Sequence, residues 1–229
     1  GSGEFHALDK GEYQTMIEVA LSVVSGKAPV YTGVGGNISQ AIEQVKLSED
    51  LGADGYLTLP PYLIEGEQEG IFHYFKAIIE NSNLNTIIYQ RDTAILQVET
   101  LQRLIEFPQV VGFKDGYGKM ELIVEQTQTI NGNRLEWING MPFAEITMPS
   151  YVPFGYHTYS SAISNYIPHI SRMYFNALLE GNNQLLRDLY VDVLLPINRI
   201  RKSRKGYADS LIKAGMEIVG LPVGRGVGA

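Results

Sequence analysis

The run Val110-Val111-Gly112-Phe113-Lys114-Asp115-Gly116 puts one lysine at the end of an apolar stretch, directly before an aspartate and a glycine. Four to six apolar residues closed by a turn signal read as a buried parallel strand. Lys114 then stands where the strand ends and its loop begins, the end at which barrels of alternating strands and helices build their active sites. Phe113 and its neighbours would keep water from the amine. Desolvation favours the neutral form, which can attack a carbonyl carbon and form a Schiff base. The plainer alternative is a strand-terminal lysine that points into water.

A second strand ends in a group suited to the same chemistry. Ile87-Ile88-Tyr89-Gln90-Arg91-Asp92 carries a phenol able to shuttle protons to and from a carbinolamine one strand away. Its alternative is a core tyrosine whose hydroxyl is satisfied by backbone. Arg91 suits a substrate carboxylate, although a surface ion pair is the commoner fate of such an arginine. Ser2 within Gly1-Ser2-Gly3 forms a small-residue loop that offers a hydroxyl and amide N–H groups to an anion, or is simply a tight turn. Gly140, in Asn139-Gly140-Met141-Pro142, lets a ligand approach the backbone, and Ser160 and Ser161 end a further strand with hydroxyls. Each signal is weak alone. Together they fall at strand C-termini, on the face expected of Lys114.

Other chemistries find less support. His6, His73, His157 and His169 have no metal-ligand spacing, and His157 reads as packed within a strand. The chain has no cysteine, which removes disulfides and thiolate chemistry and fits a reducing cytoplasm. A net charge of −7 argues against a nucleic-acid partner, and the basic run from Arg199 to Lys205 reads as a solvated helix end. No apolar run approaches the roughly 20 residues of a membrane span. The opening residues do not have a signal peptide's layout.

These residues must be positioned by regular elements. Asp9 can cap a helix over 10–25, with Tyr13, Ile17, Val19 and Ala20 toward the core. Strands are expected over 29–34, 55–59, 86–89, 110–114, 135–139 and 155–161. Helices are expected over 38–51 (apolar at Ile38, Ala41, Ile42 and Val45), 67–81, 98–107, 119–130, 144–151, 168–180, 183–199 and 207–219. Gly52 closes the second helix. Strand-helix alternation with short loops marks a parallel α/β fold, compatible with a doubly wound sheet or a (β/α)8 barrel. The Gly33–Gly36 cluster lacks the Gly-x-Gly-x-x-Gly spacing of a dinucleotide site. Six strands fall short of a barrel's eight. The expectation is therefore a TIM barrel lacking its first strand-helix unit and its second strand, with a catalytic part over 1–181 and a helical extension over 182–229. Open parallel edges predict low stability or aggregation unless self-association covers them.

The chain resembles the dihydrodipicolinate synthase and N-acetylneuraminate lyase superfamily of Schiff-base barrels. Gly1-Ser2-Gly3-Glu4 is similar to its carboxylate-binding loop, Gly112-Phe113-Lys114-Asp115 to its lysine segment, and Tyr89 to its catalytic tyrosine. Further likeness lies in Gly52-Ala53-Asp54-Gly55, Leu59-Pro60-Pro61-Tyr62-Leu63, Tyr89-Gln90-Arg91-Asp92, Asn139-Gly140-Met141-Pro142, Thr158-Tyr159-Ser160-Ser161-Ala162 and Arg204-Lys205-Gly206-Tyr207-Ala208. Two departures are Ser2 where threonine is usual and Gln90 where asparagine is usual, the latter adding a methylene beside Tyr89. The matches run to the branch that dehydrates and decarboxylates 5-dehydro-4-deoxy-D-glucarate to 2,5-dioxopentanoate. Pyruvate-dependent aldol chemistry within the superfamily, or a non-catalytic fragment that binds a keto acid, are the alternatives.

The resemblance implies Lys114 as the imine-forming residue and Tyr89 as proton relay. It implies Ser2 and Gly3 at the keto-acid carboxylate, Gly140 near the imine, and Arg91, Ser160 and Ser161 at the distal hydroxyls and carboxylate. No cofactor or metal is called for, since the imine is the electron sink. A homo-oligomer, a tetramer in the superfamily, is also implied.

Overall fold

The computed structural model describes residues 3–61, 65–91, 93–130, 134–221 and 223–224. Among the described residues six strands form one sheet: β1 (Tyr31–Val34), β2 (Gly55–Thr58), β3 (Asn85–Gln90), β4 (Val110–Asp115), β5 (Glu136–Asn139) and β6 (Thr158–Tyr159). Their spatial order follows the chain, β1 to β6, and the pairs from β1 through β5 are all parallel. Right-handed crossovers that always advance in one direction put every connecting helix on the same face and wind the sheet toward a barrel. A doubly wound sheet would reverse its order at a switch point, and this one does not.

The helices between the strands are α1 (Lys10–Val24), α2 (Ile38–Asp50), α3 (Gln68–Ile79), α4 (Val98–Leu104) and α5 (Met120–Thr129). They are followed by α6 (Ala144–Tyr151), α7 (Pro168–Leu179), α8 (Asn183–Leu189), α9 (Leu195–Lys202) and α10 (Tyr207–Ile218). None of the described helices is long and apolar enough to cross a membrane. The chain divides into two compact units. The larger comprises Glu4–Gly140 with Phe154–Thr158; the other holds Gly3, Met141–Pro153 and the described residues from Tyr159.

In the larger unit, alternation along the strands sorts side chains into two layers. Tyr56 joins Val34, Ala41, Val45 and Ile78 in one buried cluster. Its neighbour Leu57 packs with Phe5, Tyr13, Ile17, Leu59 and Tyr89 in another. α1 starts in a capping box, Asp9 accepting from the Glu12 amide and Glu12 accepting from that of Asp9. Tyr13 and Ile17 are buried as expected, but Val19 is 56% exposed. It lies two positions from Ile17, about 200° around the helix, on the opposite face. Ile38, the first residue of α2, is also exposed, and the helix buries Gln44 and Ser48 beside Ala41 and Val45. Gln44 accepts from the Gly35 amide, and Ser48 hydrogen bonds with Thr32, so β1 and α2 meet through polar side chains that apolar periodicity does not reveal.

β6 is shorter than the strand expected over 155–161. Gly155 at φ 87° turns the chain, and Tyr156 packs on Trp137 before pairing begins. His157 is exposed, not packed. In the helical unit, Phe143, Ile163, Tyr174, Ala177, Leu186, Leu189 and Leu194 form the core. The single helix expected over 183–199 runs on without a gap from Asn183 to Lys202, but it is not uniform. Pro196, in the first turn of α9, has no N–H to donate back along the helix, and the preceding residues Tyr190–Leu194 widen into a π turn.

Candidate active site

Lys114 and Tyr89 are direct register partners on β4 and β3. Paired residues share a face of the sheet, so phenol and amine project together. The Lys114 Nζ lies 4.3 Å from the centre of the Tyr89 ring. Burial, helped by the positive charge of Arg91, pulls the lysine pKa down to about 8. Among the described residues no carboxylate forms an ion pair with it. Near neutral pH such an amine has an appreciable neutral fraction, the form required of a nucleophile.

Two glycines make room for this pair. A β-carbon at Gly140 would stand 2.5 Å from Lys114 Cγ and 2.7 Å from Cε. One at Gly116 would stand 2.8 Å from Tyr89 Cε2 and 2.9 Å from its hydroxyl oxygen. Both distances are below those that real β-carbons adopt, so any side chain at either position would displace the amine or the phenol. The Tyr89 hydroxyl donates to the Gly140 carbonyl at 3.0 Å, tying β3 to the end of β5 across the lysine strand. The backbone-satisfied tyrosine and the tyrosine beside the lysine are thus the same residue.

Gln90 and Asp115 follow Tyr89 and Lys114 and therefore face the other way. Gln90 is fully buried on the opposite face, where its amide donates to Asp115 at 2.8 Å. The methylene it adds over asparagine is therefore not beside Tyr89, as the resemblance suggested. Period-two alternation alone foretells this.

The other expected site residues are distributed as follows. Arg91, at the end of β3, has its guanidinium 5.6 Å from the Tyr89 ring centre. Gly140 ends β5 beside Lys114, as its close approach requires. Gly3 is exposed. Ser2, with Tyr62 and Asp92 of the matching segments, lies outside the described residues. Ser160 is exposed, and Ser161 donates to buried Glu145 of α6 at 2.5 Å while accepting from Ser171. Gly116, Gln126 and Glu145 were not singled out from the sequence. A glycine directly after the strand that carries the lysine is the available sign for Gly116, whereas a glutamine and a glutamate on helices carry none.

A parallel sheet wound in one direction, with a desolvated lysine at a strand's C-terminal end and a tyrosine on the preceding strand, is a (β/α)-barrel architecture with an amine at its ligand-binding end. The chain belongs to the dihydrodipicolinate synthetase family, whose model matches residues 1–227. It is 62% identical over 223 residues to a Bacillus subtilis protein described as a probable 5-dehydro-4-deoxyglucarate dehydratase, covering 97% of this chain and 72% of that one. A relative of the same description from Oceanobacillus iheyensis is 59% identical with the same coverage. Among solved structures, dihydrodipicolinate synthase from Oceanobacillus iheyensis superposes with a TM-score of 0.90 at 28% identity, covering 99% of this chain and 75% of that one.

Proposed function

We propose that the chain carries the imine-forming site of a cytoplasmic hydro-lyase that converts 5-dehydro-4-deoxy-D-glucarate to 2,5-dioxopentanoate, water and carbon dioxide. The carrying observation is the side-by-side placement of Tyr89 and a desolvated Lys114, in a chain about 60% identical to relatives described as probable dehydratases of that substrate. Residues 1–181 are taken as the catalytic part and 182–229 as a helical extension. The working form is taken to be a homo-oligomer.

Neutral Lys114 attacks the keto carbon, and the carbinolamine loses water with Tyr89 relaying protons, leaving a protonated imine. The imine accepts the electron pair released when the adjacent CH2 loses a proton. The enamine so formed expels the hydroxyl on the next carbon as water. The product is an iminium conjugated with a carbon–carbon double bond. The distal carboxylate leaves as carbon dioxide, and its bonding pair runs through that double bond to the nitrogen. Protonation, tautomerisation of the remaining enol to an aldehyde, and hydrolysis of the imine release 2,5-dioxopentanoate and free Lys114. The overall change consumes one proton and needs no redox partner. Arg91 beside the pair is suited to the distal carboxylate. Ser2 and Gly3 at the keto-acid carboxylate, and Ser160 and Ser161 at the hydroxyls, are separate proposals, the serines each read by the KM of the alanine variant.

Borohydride reduction with 5-dehydro-4-deoxyglucarate and with pyruvate in parallel, followed by intact and peptide mass measurement, tests the reading. An adduct on Lys114 with the mass of the dehydrated, decarboxylated product is expected from the first. A pyruvate adduct that turns over with an added aldehyde, with no dehydration of the glucarate, would replace the dehydratase by an aldolase. No adduct from either would remove Lys114 from its role.

A further inference from the structure

Behind the lysine and the tyrosine, on the face away from the site, lies a buried polar network. Gln90, Asp115 and Gln126 have no solvent exposure. Gln90 Nε2 donates to Asp115 Oδ1 at 2.8 Å, linking β3 to β4 one residue past the Tyr89–Lys114 pair. Gln90 Oε1 accepts from the Leu96 amide at 2.9 Å and from Gln126 Nε2 on α5 at 3.2 Å. Gln126 Nε2 also donates to the Leu96 carbonyl at 2.8 Å. The Asp115 carboxylate accepts from the amides of Tyr117 and Gly118, at 3.2 and 3.0 Å, and so shapes the turn that holds Gly116 against the Tyr89 ring. The backbone continues the clamp: the Gly116 amide donates to Gln90, and the Gly140 amide to Asp115. The β3–β4 register shifts once, between Thr86 and Ile87, before the strands reach this clamp.

We propose that Gln90, Asp115 and Gln126 are positioning residues, which set the register of Tyr89 against Lys114 from the far face of the sheet and thereby hold the amine over the phenol. The inference rests on the imine-forming reading of Lys114. In a buried network an unmet partner is costly, so the three groups favour one strand register over its neighbours. A slip of one residue would turn Lys114 to the opposite face from Tyr89.

The test uses the full chain and two readouts: steady-state turnover of the glucarate, and the pH midpoint of Lys114 acetylation by acetic anhydride, mapped by peptide mass. The second needs no catalysis. Gln90→Leu is expected to lower kcat at least 10-fold with KM changed less than about 3-fold, and to shift the acetylation midpoint of Lys114 upward while circular dichroism stays that of the parent. Asp115→Asn, which keeps an oxygen toward Gln90, is expected to retain at least five times the kcat of Asp115→Leu. If Gln90→Leu does not fold, Gln126→Leu, which removes one donor from Gln90, is expected to shift the same midpoint in the same direction. An unchanged kcat and midpoint in the folded variants overturns the proposal. If the parent forms no borohydride adduct at Lys114, the lysine reading fails, and this inference fails with it; an adduct in the parent with unaffected variants removes the positioning role alone.

Discussion

Tyr89 and Lys114 lie directly across from one another on β3 and β4, with the amine 4.3 Å from the centre of the phenol ring. Removing either group therefore tests one arrangement in two ways. Lys114→Ala is expected to abolish the borohydride adduct and lower turnover by about 1,000-fold or more, since the covalent route is lost. Tyr89→Phe keeps the ring beneath the amine but removes the hydroxyl proposed as proton relay and its bond to the Gly140 carbonyl. Its adduct should still form, more slowly, and kcat should fall by roughly 100-fold or more. Mass measurement of the trapped adduct beside kcat separates the two.

The lowered pKa of Lys114, about 8, sets the pH dependence. Imine formation should rise with pH through about 8 as the ammonium loses its proton. The stability effect follows by linkage. A lysine whose folded pKa lies below its unfolded value costs stability in full below about pH 8, and that cost disappears as pH rises toward 10.5. Lys114→Met should therefore unfold at a higher temperature than the parent at pH 7, by about 2–4 °C for a gain of roughly 1 kcal/mol. The gap should narrow between pH 8 and 10. Thermal melts across that range check the sign, and a widening gap contradicts the assignment.

Much of this arrangement is legible in the residues themselves. Lys114 and Tyr89 are readable together rather than singly, because both close apolar runs at strand C-termini and so fall on one face. Alternation with short loops gives the parallel sheet, but it fits a doubly wound order as well as the sequential one, β1 to β6, that the structure has. What escapes is side-chain polarity inside the packing. Gln44 and Ser48 share the buried stripe of α2 with Ala41 and Val45, and Gln126 crosses from α5 to Gln90. Hydrophobic periodicity assigns such residues to water, because a buried amide is tolerated only through partners distant in sequence. The π turn within 183–199 is different: Pro196 marks it locally, but the apolar pattern continues through it and hides it.

Gly140 offers a steric test that leaves every titratable group in place. Its missing β-carbon is the space taken by Lys114 Cγ and Cε. Gly140→Ala is expected to push the lysine out of its position over Tyr89, costing about 1–3 kcal/mol in stability from overpacking. The adduct should form at least 10-fold more slowly. Normal trapping in this variant would mean that the lysine reaches substrate by another path.

The helical unit contains a buried acid, Glu145, and it is expected to titrate in the opposite sense to Lys114. Glu145 has no exposed surface, and burial holds its carboxyl above the usual carboxylate range, with the Ser161 hydroxyl offsetting only part of the effect. Its backbone carbonyl accepts from two tyrosine hydroxyls, Tyr174 at 2.5 Å and Tyr190 at 2.9 Å, so the residue joins α6 to α7 and the π turn whatever its charge. A carboxyl whose folded pKa is raised favours folding below its unfolded pKa and loses that contribution as pH rises through the folded value. Glu145→Gln keeps an oxygen for Ser161 and removes the charge. It should match the parent near pH 4 and exceed it above neutrality, by about 2–4 °C in Tm for roughly 1 kcal/mol. A variant less stable than the parent at pH 8 would show that the ionised carboxylate is held by a partner that offsets its burial, and would reverse the sign assigned to it.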